Sequence, residues 1–179
     1  MRVISGSARG KKLISSEGLD VRPTLDRVKE SVFNMIAFDI PDASVLDLFS
    51  GSGALGIEAL SRGAKHAVFV DNSAASLSVT KQNLVATRLD SVAETVQSDS
   101  IQYLKTTNKT FDIILIDPPY RAGLYEEVLS WIEARNLLNP DGLMIVESAL
   151  DDAPQIPAGK YSEVRDKKYG KVKIFLIKA

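Results

Sequence analysis

The sequence predicts a doubly wound α/β fold, built on a mostly parallel seven-stranded sheet with an antiparallel hairpin at its C-terminal end. Strands that are apolar throughout, separated by helical patterns, are typical of a parallel sheet covered on both faces. The last two runs, YSEVRD and VKIFLIK, flank a KKYGK turn and therefore indicate a β-hairpin. The five preceding strand runs are SVLDLF (44–49), HAVFVD (66–71), ETVQSD (94–99), FDIILID (111–117) and GLMIVES (142–148).

The front of the chain predicts a small arm rather than a further strand of the sheet. RVISG and KKLIS can pair through SARG as a short hairpin, and PTLDRVKESVFNMIAFD follows as a helix that begins at Pro23. We expect one domain over residues 1–179, with 1–40 as the N-terminal arm and helix and 41–179 as the sheet that carries the site. The apolar stripe of the helix is predicted at Val28, Val32, Met35 and Ile36.

Composition excludes several classes of chemistry. Cysteine is absent and His66 is the only histidine, so disulfides, iron–sulfur clusters, cysteine nucleophiles and histidine-rich metal sites are excluded. We therefore expect no metal. The N-terminus lacks the apolar core of a signal peptide, and no apolar run approaches the ~18 residues that span a bilayer. We expect a cytoplasmic protein without a membrane partner, and a monomer.

The net charge of −1 conceals an uneven distribution. Residues 1–35 carry seven basic and four acidic side chains, and residues 159–179 carry seven and two. Residues 36–158 carry eight and seventeen. Two interpretations stay open: ordinary solvated surface, or cations at both ends of the chain that bind a polyanion.

A glycine-rich turn follows the first predicted strand. VLDLFSGSGALGIEAL places Gly51, Gly53 and Gly56 in the spacing G-x-G-x-x-G between a strand and a helix, the context in which this motif binds nucleotides. Asp71, at the end of the second strand, is placed to bind ribose hydroxyls, and Asp99, after the third, to reach an adenine ring. Ligands of such sheets bind outside the carboxyl ends of the strands, where these residues fall.

Asp47 distinguishes two ligands that fit this pattern, a dinucleotide and S-adenosylmethionine. Asp47 lies four residues before Gly51, inside the end of the first strand, where a pyrophosphate would be repelled. A cofactor with a sulfonium and an ammonium group is attracted to acidic neighbours. The sequence therefore favours S-adenosylmethionine.

The segment DPPYR, residues 117–121, ends the fourth strand beside the expected cofactor. A carboxylate and a fixed carbonyl, from Asp117 and Pro118, can each accept one N–H of a nucleobase amine and direct its lone pair toward a methyl group. Pro119 restricts the turn, and Tyr120 offers a face on which an extruded base can stack. These residues predict methyl transfer to an exocyclic amine, with guanine and adenine both open.

Several segments together carry a family resemblance: RVISGSARGKKL, RPTLDRVKESVFN, DLFSGSGALGIEALSRGA, Asn83 in KQNL, and DPPYRAG. Over nearly the whole chain they resemble the small bacterial ribosomal RNA guanine-N(2) methyltransferases that modify guanine 966 of 16S rRNA. DPPY alone is shared with many amino-methyltransferases, whereas the longer motifs are far more specific.

The resemblance implies a class I, Rossmann-like methyltransferase that acts on 16S rRNA or the small ribosomal subunit. It implies that S-adenosylmethionine is held by the glycine loop with Asp71 and Asp99, and that residues 117–120 form the target-base site. It further implies that basic residues of the N-terminal region cover the cofactor and contact RNA, with Arg121 beside the flipped base. Those N-terminal residues are Arg2, Arg9, Lys11, Lys12, Arg22 and Arg27.

Three other functions stay open on residues alone. An N6-adenine methyltransferase acting on DNA or RNA shares DPPY, although DNA enzymes need an additional module to read base edges. A non-catalytic RNA-binding protein could retain the fold, although both motifs are intact here. An NAD-dependent reductase is disfavoured by Asp47 and by the lack of an evident proton donor.

Overall fold

Five helices and seven strands alternate around one sheet in a computed structural model, which describes residues 1–15, 23–119, 122–156 and 160–179. Arg22, Tyr120 and Arg121, predicted above to act in binding, lie outside the described residues. The helices are α1 (Pro23–Met35), α2 (Ala54–Ser61), α3 (Ala74–Thr87), α4 (Ser100–Thr106) and α5 (Tyr125–Ala134). The strands are β1 (Ser44–Asp47), β2 (His66–Asp71), β3 (Ala93–Gln97), β4 (Phe111–Ile116), β5 (Leu138–Ala149), β6 (Glu163–Tyr169) and β7 (Val172–Lys178).

The strands form a single sheet in the order β3-β2-β1-β4-β5-β7-β6. The first five are parallel to one another, and β7 runs antiparallel to both β5 and β6. The predicted doubly wound sheet with an antiparallel C-terminal hairpin is confirmed. No helix in the described ranges is long and apolar enough to cross a membrane.

Two apolar layers enclose the sheet, one on each face. The layer that includes Val45 of β1 is packed by α1, α2, α3 and the N-terminal segment. The layer that includes Leu46, the next residue of the same strand, is packed by α4 and α5. Because successive side chains of a strand point to opposite faces, both Val45 and Leu46 are buried, and the strands read as uninterrupted apolar runs.

The N-terminal segment belongs to the first layer. Its hairpin is a short antiparallel pairing: Arg2 and Lys12 form one bridge, and the N–H of Leu13 donates to the Met1 carbonyl (3.1 Å). Val3, Ala8 and Leu13 are buried against the sheet. The arm therefore completes the core while its charged side chains stay at the surface.

Helix α1 packs on the sheet with a face slightly different from the predicted stripe. Val28, Val32 and Ile36 are buried as predicted, but Met35 is 43% exposed and Phe33 is fully buried in its place. Phe33 lies one turn after Lys29, which is itself buried. The face of α1 that points inward is therefore rotated toward Lys29, whose ion-pair partner is also buried.

The partner is Glu58 of α2, a fully buried carboxylate that joins three parts of the chain. It lies 3.5 Å from the Lys29 ammonium and 2.8 Å from the Arg62 guanidinium. It also accepts the backbone N–H groups of Ile4 (2.8 Å) and Ser5 (3.1 Å). Because Glu58 lies on the helix that follows the glycine loop, this network fixes α1 and the N-terminal arm beside that loop.

Replacing Glu58 with alanine is expected to destabilise the fold by about 3–5 kcal/mol, because Lys29 would keep a buried charge without its carboxylate partner. The matched control is Glu127→Ala, which breaks an exposed pair with Lys105 and should cost less than about 1 kcal/mol. Urea unfolding of the two variants and the wild type measures both values. Equal free energies of unfolding for the two variants would contradict this account of the network.

Candidate functional site

A cavity of about 510 Å³ lies at the carboxyl ends of the parallel strands. Its floor is formed by the glycine loop and by strand ends, and α1 closes one side. Its lining includes strand-end acids, residues of α1 and residues of the glycine loop. They are Asp47, Asp71, Asp117 and Glu147, then Val28, Lys29 and Phe33, and then Ser50, Gly51 and Ser52. The structure thus brings the two motifs of the sequence to one site.

The glycine loop contains backbone conformations that residues other than glycine seldom adopt. Gly51 and Gly53 have φ angles of 52° and 78°, in the left-handed region. Gly51 lines the cavity, whereas Gly53, also predicted to bind the cofactor, is turned away and closely packed against Thr80 of α3. The Thr80 hydroxyl donates to the Gly51 carbonyl (2.9 Å), and the Asn83 amide donates to the Ser52 carbonyl (2.8 Å). Helix α3 therefore holds the loop from behind.

The third glycine of the motif serves packing. A Cβ atom at Gly56 would lie 2.4 Å from the ring of Phe69 on β2, so the close approach of α2 to the sheet requires glycine here. The N–H of Gly56 donates to the buried Asp47 carboxylate (2.9 Å). Asp47 borders the cavity, and burial raises its pKa to about 7, against the opposing effect of the Gly56 hydrogen bond. The Asp47 carboxylate is thus hydrogen-bonded to the first turn of α2.

Asp71 and Asp99 both line the cavity, and both also accept hydrogen bonds from the backbone that surrounds it. Asp71 accepts the N–H of Gly51 (2.9 Å) and the N–H of Ser73 (2.8 Å), which fixes the loop against β2. A carboxylate has four acceptor positions, so two remain for a ligand's hydroxyl groups. Asp99 is exposed and caps α4 by accepting the N–H of Gln102 (2.9 Å).

Asp117 follows the last residue of β4 and lies with Pro118 and Pro119 along the cavity wall. No hydrogen bond to its carboxyl group is formed within the part of the chain that the structure describes. Burial raises its pKa well above the usual value, and the nearby charges of Glu147 and Asp47 raise it further. The acidic groups at this edge are thus concentrated in an environment that disfavours their charge.

Glu147 is the residue that the sequence analysis missed. It lies on β5, lines the same cavity, and has a pKa that burial raises. A signal was present in the sequence: VLD, LID and IVE each end an apolar run with an acid, at Asp47, Asp117 and Glu147. Within this site, the ammonium of Lys29 is engaged by the Arg2 carbonyl (2.7 Å) and by Glu58. A cavity of this composition attracts a ligand that carries positive charge.

A family model and two named relatives match most of this chain. Residues 1–178 match the model of the family described as conserved hypothetical protein 95. The ribosomal RNA small subunit methyltransferase D of Escherichia coli is 38% identical over 173 residues, which cover 96% of this chain and 86% of that protein. A candidate rRNA methyltransferase of Bacillus subtilis is 41% identical over 150 residues, which cover 82% of each chain.

A solved structure shares the whole fold. That protein is a candidate methyltransferase from Escherichia coli, with 37% sequence identity and a TM-score of 0.89. The similarity covers 99% of this chain and 97% of that one. The sheet described above is therefore that of a class I methyltransferase, and the resemblance found in the sequence motifs is confirmed.

Asp47→Asn is expected to remove part of the pH dependence of stability. The folded-state pKa of about 7 exceeds the ordinary value of 3.8, so the folded protein binds this proton more tightly than the unfolded chain. The contribution of Asp47 is fully present below pH 3.8 and is lost as the pH rises through 7. The amide variant should therefore gain up to about 4 kcal/mol relative to wild type between those limits.

Urea unfolding at pH 4.5 and pH 8 measures this difference. Asp141→Asn is the matched control, since Asp141 is exposed and asparagine tolerates its φ of 63°. That control should follow the wild type at both pH values. A wild-type pH dependence in Asp47→Asn would contradict the assignment.

Proposed function

We propose that this chain, which belongs to the conserved hypothetical protein 95 family, transfers a methyl group from S-adenosylmethionine to the exocyclic amine of a guanine in 16S rRNA. We take guanine 966 of the small ribosomal subunit as the target. The observation that carries the proposal is the position of Asp117, Pro118 and Pro119 beside the glycine loop in one acidic cavity. The names of the relatives support the choice of ribosomal RNA.

The residues of the cavity fit S-adenosylmethionine. Two acceptor positions of Asp71 are free for ribose hydroxyls, and Asp99 lies at the adjacent strand end, where the adenine is expected. Gly51 lets the backbone approach the ligand, and the charge of Asp47 and its neighbours favours a cationic ligand. When bound, the cofactor supplies an electrophilic methyl group on a positively charged sulfur.

Asp117 and the Pro118 carbonyl hold the amine of the target base. Each accepts one N–H, so the nitrogen lone pair is directed at the methyl group rather than into the ring. Pro119 keeps the carbonyl in place because its ring fixes the backbone. Positioning of this kind contributes roughly 7–11 kcal/mol in well-oriented reactions. Tyr120, for which we propose base stacking, follows directly in the sequence.

The N-terminal arm carries exposed basic side chains, which we propose as one RNA-binding surface. Met1 lines the cavity, and the exposed side chains of Arg9, Lys11 and Lys12 project from the same short pairing. Arg2, which lies 3.8 Å from Asp26, and Arg27 of α1 extend this surface. We assign its role as binding of RNA phosphates near the target base, with Arg22 and Arg121 as further members.

The C-terminal hairpin carries further exposed cations. Lys167 of β6 pairs across the sheet with Ile174 of β7, and Ile174 lines the cavity. Lys167, Lys168 and Lys171 are exposed and form no ion pair within the described ranges. Lys168 pairs with Lys173 on the opposite face of the hairpin, where the Lys173 ammonium lies 3.0 Å from the Asp166 carboxylate. This distribution supports the interpretation that both chain ends bind a polyanion, here ribosomal RNA in the cytoplasm.

Asp117→Ala is expected to reduce methyl transfer to small ribosomal subunits by at least about 100-fold. The amine then loses both the carboxylate that accepts its hydrogen bond and the group that takes its proton. The dissociation constant for S-adenosylmethionine, measured by calorimetry, should change only a few fold. Asp90→Ala, an exposed acid in the turn before β3, is the control and should keep wild-type activity. Full activity of Asp117→Ala would refute its role.

Neutralising Arg9 and Lys12 as the double variant Arg9→Gln, Lys12→Gln should weaken RNA binding. The slope of log affinity against log salt concentration should fall by about 2, roughly 1 for each lost phosphate contact. Lys65→Gln with Lys109→Gln is the matched control, because both lysines precede parallel strands at the opposite edge of the sheet. An unchanged slope in the first variant would remove the arm from the RNA interface. Cofactor affinity should be unchanged in both.

A further inference from the structure

Asp117 and Glu147 occupy equivalent positions on adjacent parallel strands. Ile116 of β4 pairs with Val146 of β5, and Asp117 and Glu147 are the residues that follow. Neighbouring strands lie about 4.8 Å apart. Ile116 and Val146 point into the layer formed with α4 and α5, so alternation directs both acids to the opposite face. Both acids line the cavity there.

Within the described ranges, the groups around this pair leave its negative charge largely uncompensated. Asp47 approaches Asp117 from β1 and adds a further acid. Lys29 of α1 lines the same cavity, but its ammonium is engaged by Glu58 (3.5 Å) and by the Arg2 carbonyl. On the remaining sides, Glu147 faces Ile174 of β7, and the Tyr125 phenol of α5 donates to the Glu147 main-chain carbonyl (3.2 Å).

Burial and the neighbouring acid both oppose ionisation at this pair. Burial raises the pKa of Glu147. For Asp117, burial raises the pKa most, and the charge of Glu147 is the next cause. A charged Glu147 therefore helps to hold a proton on Asp117.

We propose that Glu147 is a positioning residue for methyl transfer, whose carboxylate acts through Asp117 by making that side chain a stronger proton acceptor. The inference rests on the proposed function, which supplies the proton. In the transfer, the amine lone pair forms the new N–C bond while the S–C bond breaks and its electron pair stays on sulfur. The nitrogen becomes cationic, and one of its protons passes to the Asp117 carboxylate.

An aspartate with an ordinary pKa is a weak acceptor at neutral pH, because its proton affinity lies far below the operating pH. Burial of Asp117 reduces most of this mismatch, and the charge of Glu147 reduces it further. The apolar run of β5 ends with an acid, and no described residue forms an ion pair with that acid. The same arrangement explains this feature. A structural role for Glu147 would not require that acid to lie beside Asp117.

The direct test is a carboxyl ¹³C NMR titration of the full chain, with the Asp117 signal assigned from an Asp117→Asn spectrum. In Glu147→Gln the titration midpoint of Asp117 should move to lower pH, because the nearby charge is gone. Glu147→Asp keeps the charge and should stay close to wild type. Glu127→Gln removes an exposed acid of α5 and should leave the midpoint unchanged. A wild-type midpoint in Glu147→Gln would overturn the inference.

Single-turnover methyl transfer provides the second measurement. Asp117 must be ionised to accept the proton, so the rate falls at acidic pH, and in Glu147→Gln this fall should occur at lower pH. At neutral pH the rate constant should drop about tenfold, with cofactor affinity within a few fold of wild type. A loss of activity with an unmoved acidic limb indicates a structural role and overturns the inference. Absence of methyl transfer by the wild type would refute the proposed function, and the NMR midpoints would still decide whether Glu147 controls Asp117.

Discussion

The register of the parallel strands is the constraint on which the site depends. β1, β4 and β5 are adjacent and parallel, so their carboxyl ends meet at one edge and on one face of the sheet. Each contributes an acid there: Asp47, Asp117 and Glu147. Burying several carboxyl groups together disfavours their charged forms and reduces the stability of the free protein. A cationic ligand offsets that cost. Burial also makes the carboxylates more basic, and this basicity favours transfer of a proton to them from the methylated amine.

A second constraint determines what closes the cavity. Glu58 is buried on the helix that follows the glycine loop, and it binds Lys29 of α1 together with main-chain N–H groups of the arm. Asn83 makes a parallel connection, since it hydrogen-bonds both Ile14 and the Ser52 carbonyl of the loop. The segment proposed to bind RNA is therefore joined directly to the segment proposed to bind the cofactor.

The strand runs and the glycine turn were predictable because both depend on local patterns, the apolar runs and the spacing of Gly51 and Gly56. Features set by neighbours in space were not. Glu147 was missed because the acid that ends its apolar run does not show which strand is its neighbour, and the sheet order shows that β5 lies beside β4. Met35 was assigned to the core because helical periodicity cannot show that Lys29 is buried with an ion-pair partner and that Phe33 points inward beside it. Gly53 fits the motif by spacing, yet its contact with Thr80 is known only from the fold.

The measurement that tests the account most directly is the identity of the methylated nucleoside. The protein would be incubated with methyl-labelled S-adenosylmethionine and undermethylated free 16S rRNA, small ribosomal subunits or duplex DNA, and the products digested to nucleosides. The account predicts label in N(2)-methylguanosine from ribosomal RNA, dependent on Asp117. Label in the adenine of DNA or RNA would contradict the proposed target. Tight cofactor binding without any transfer would contradict the role of the acidic cavity in methyl transfer.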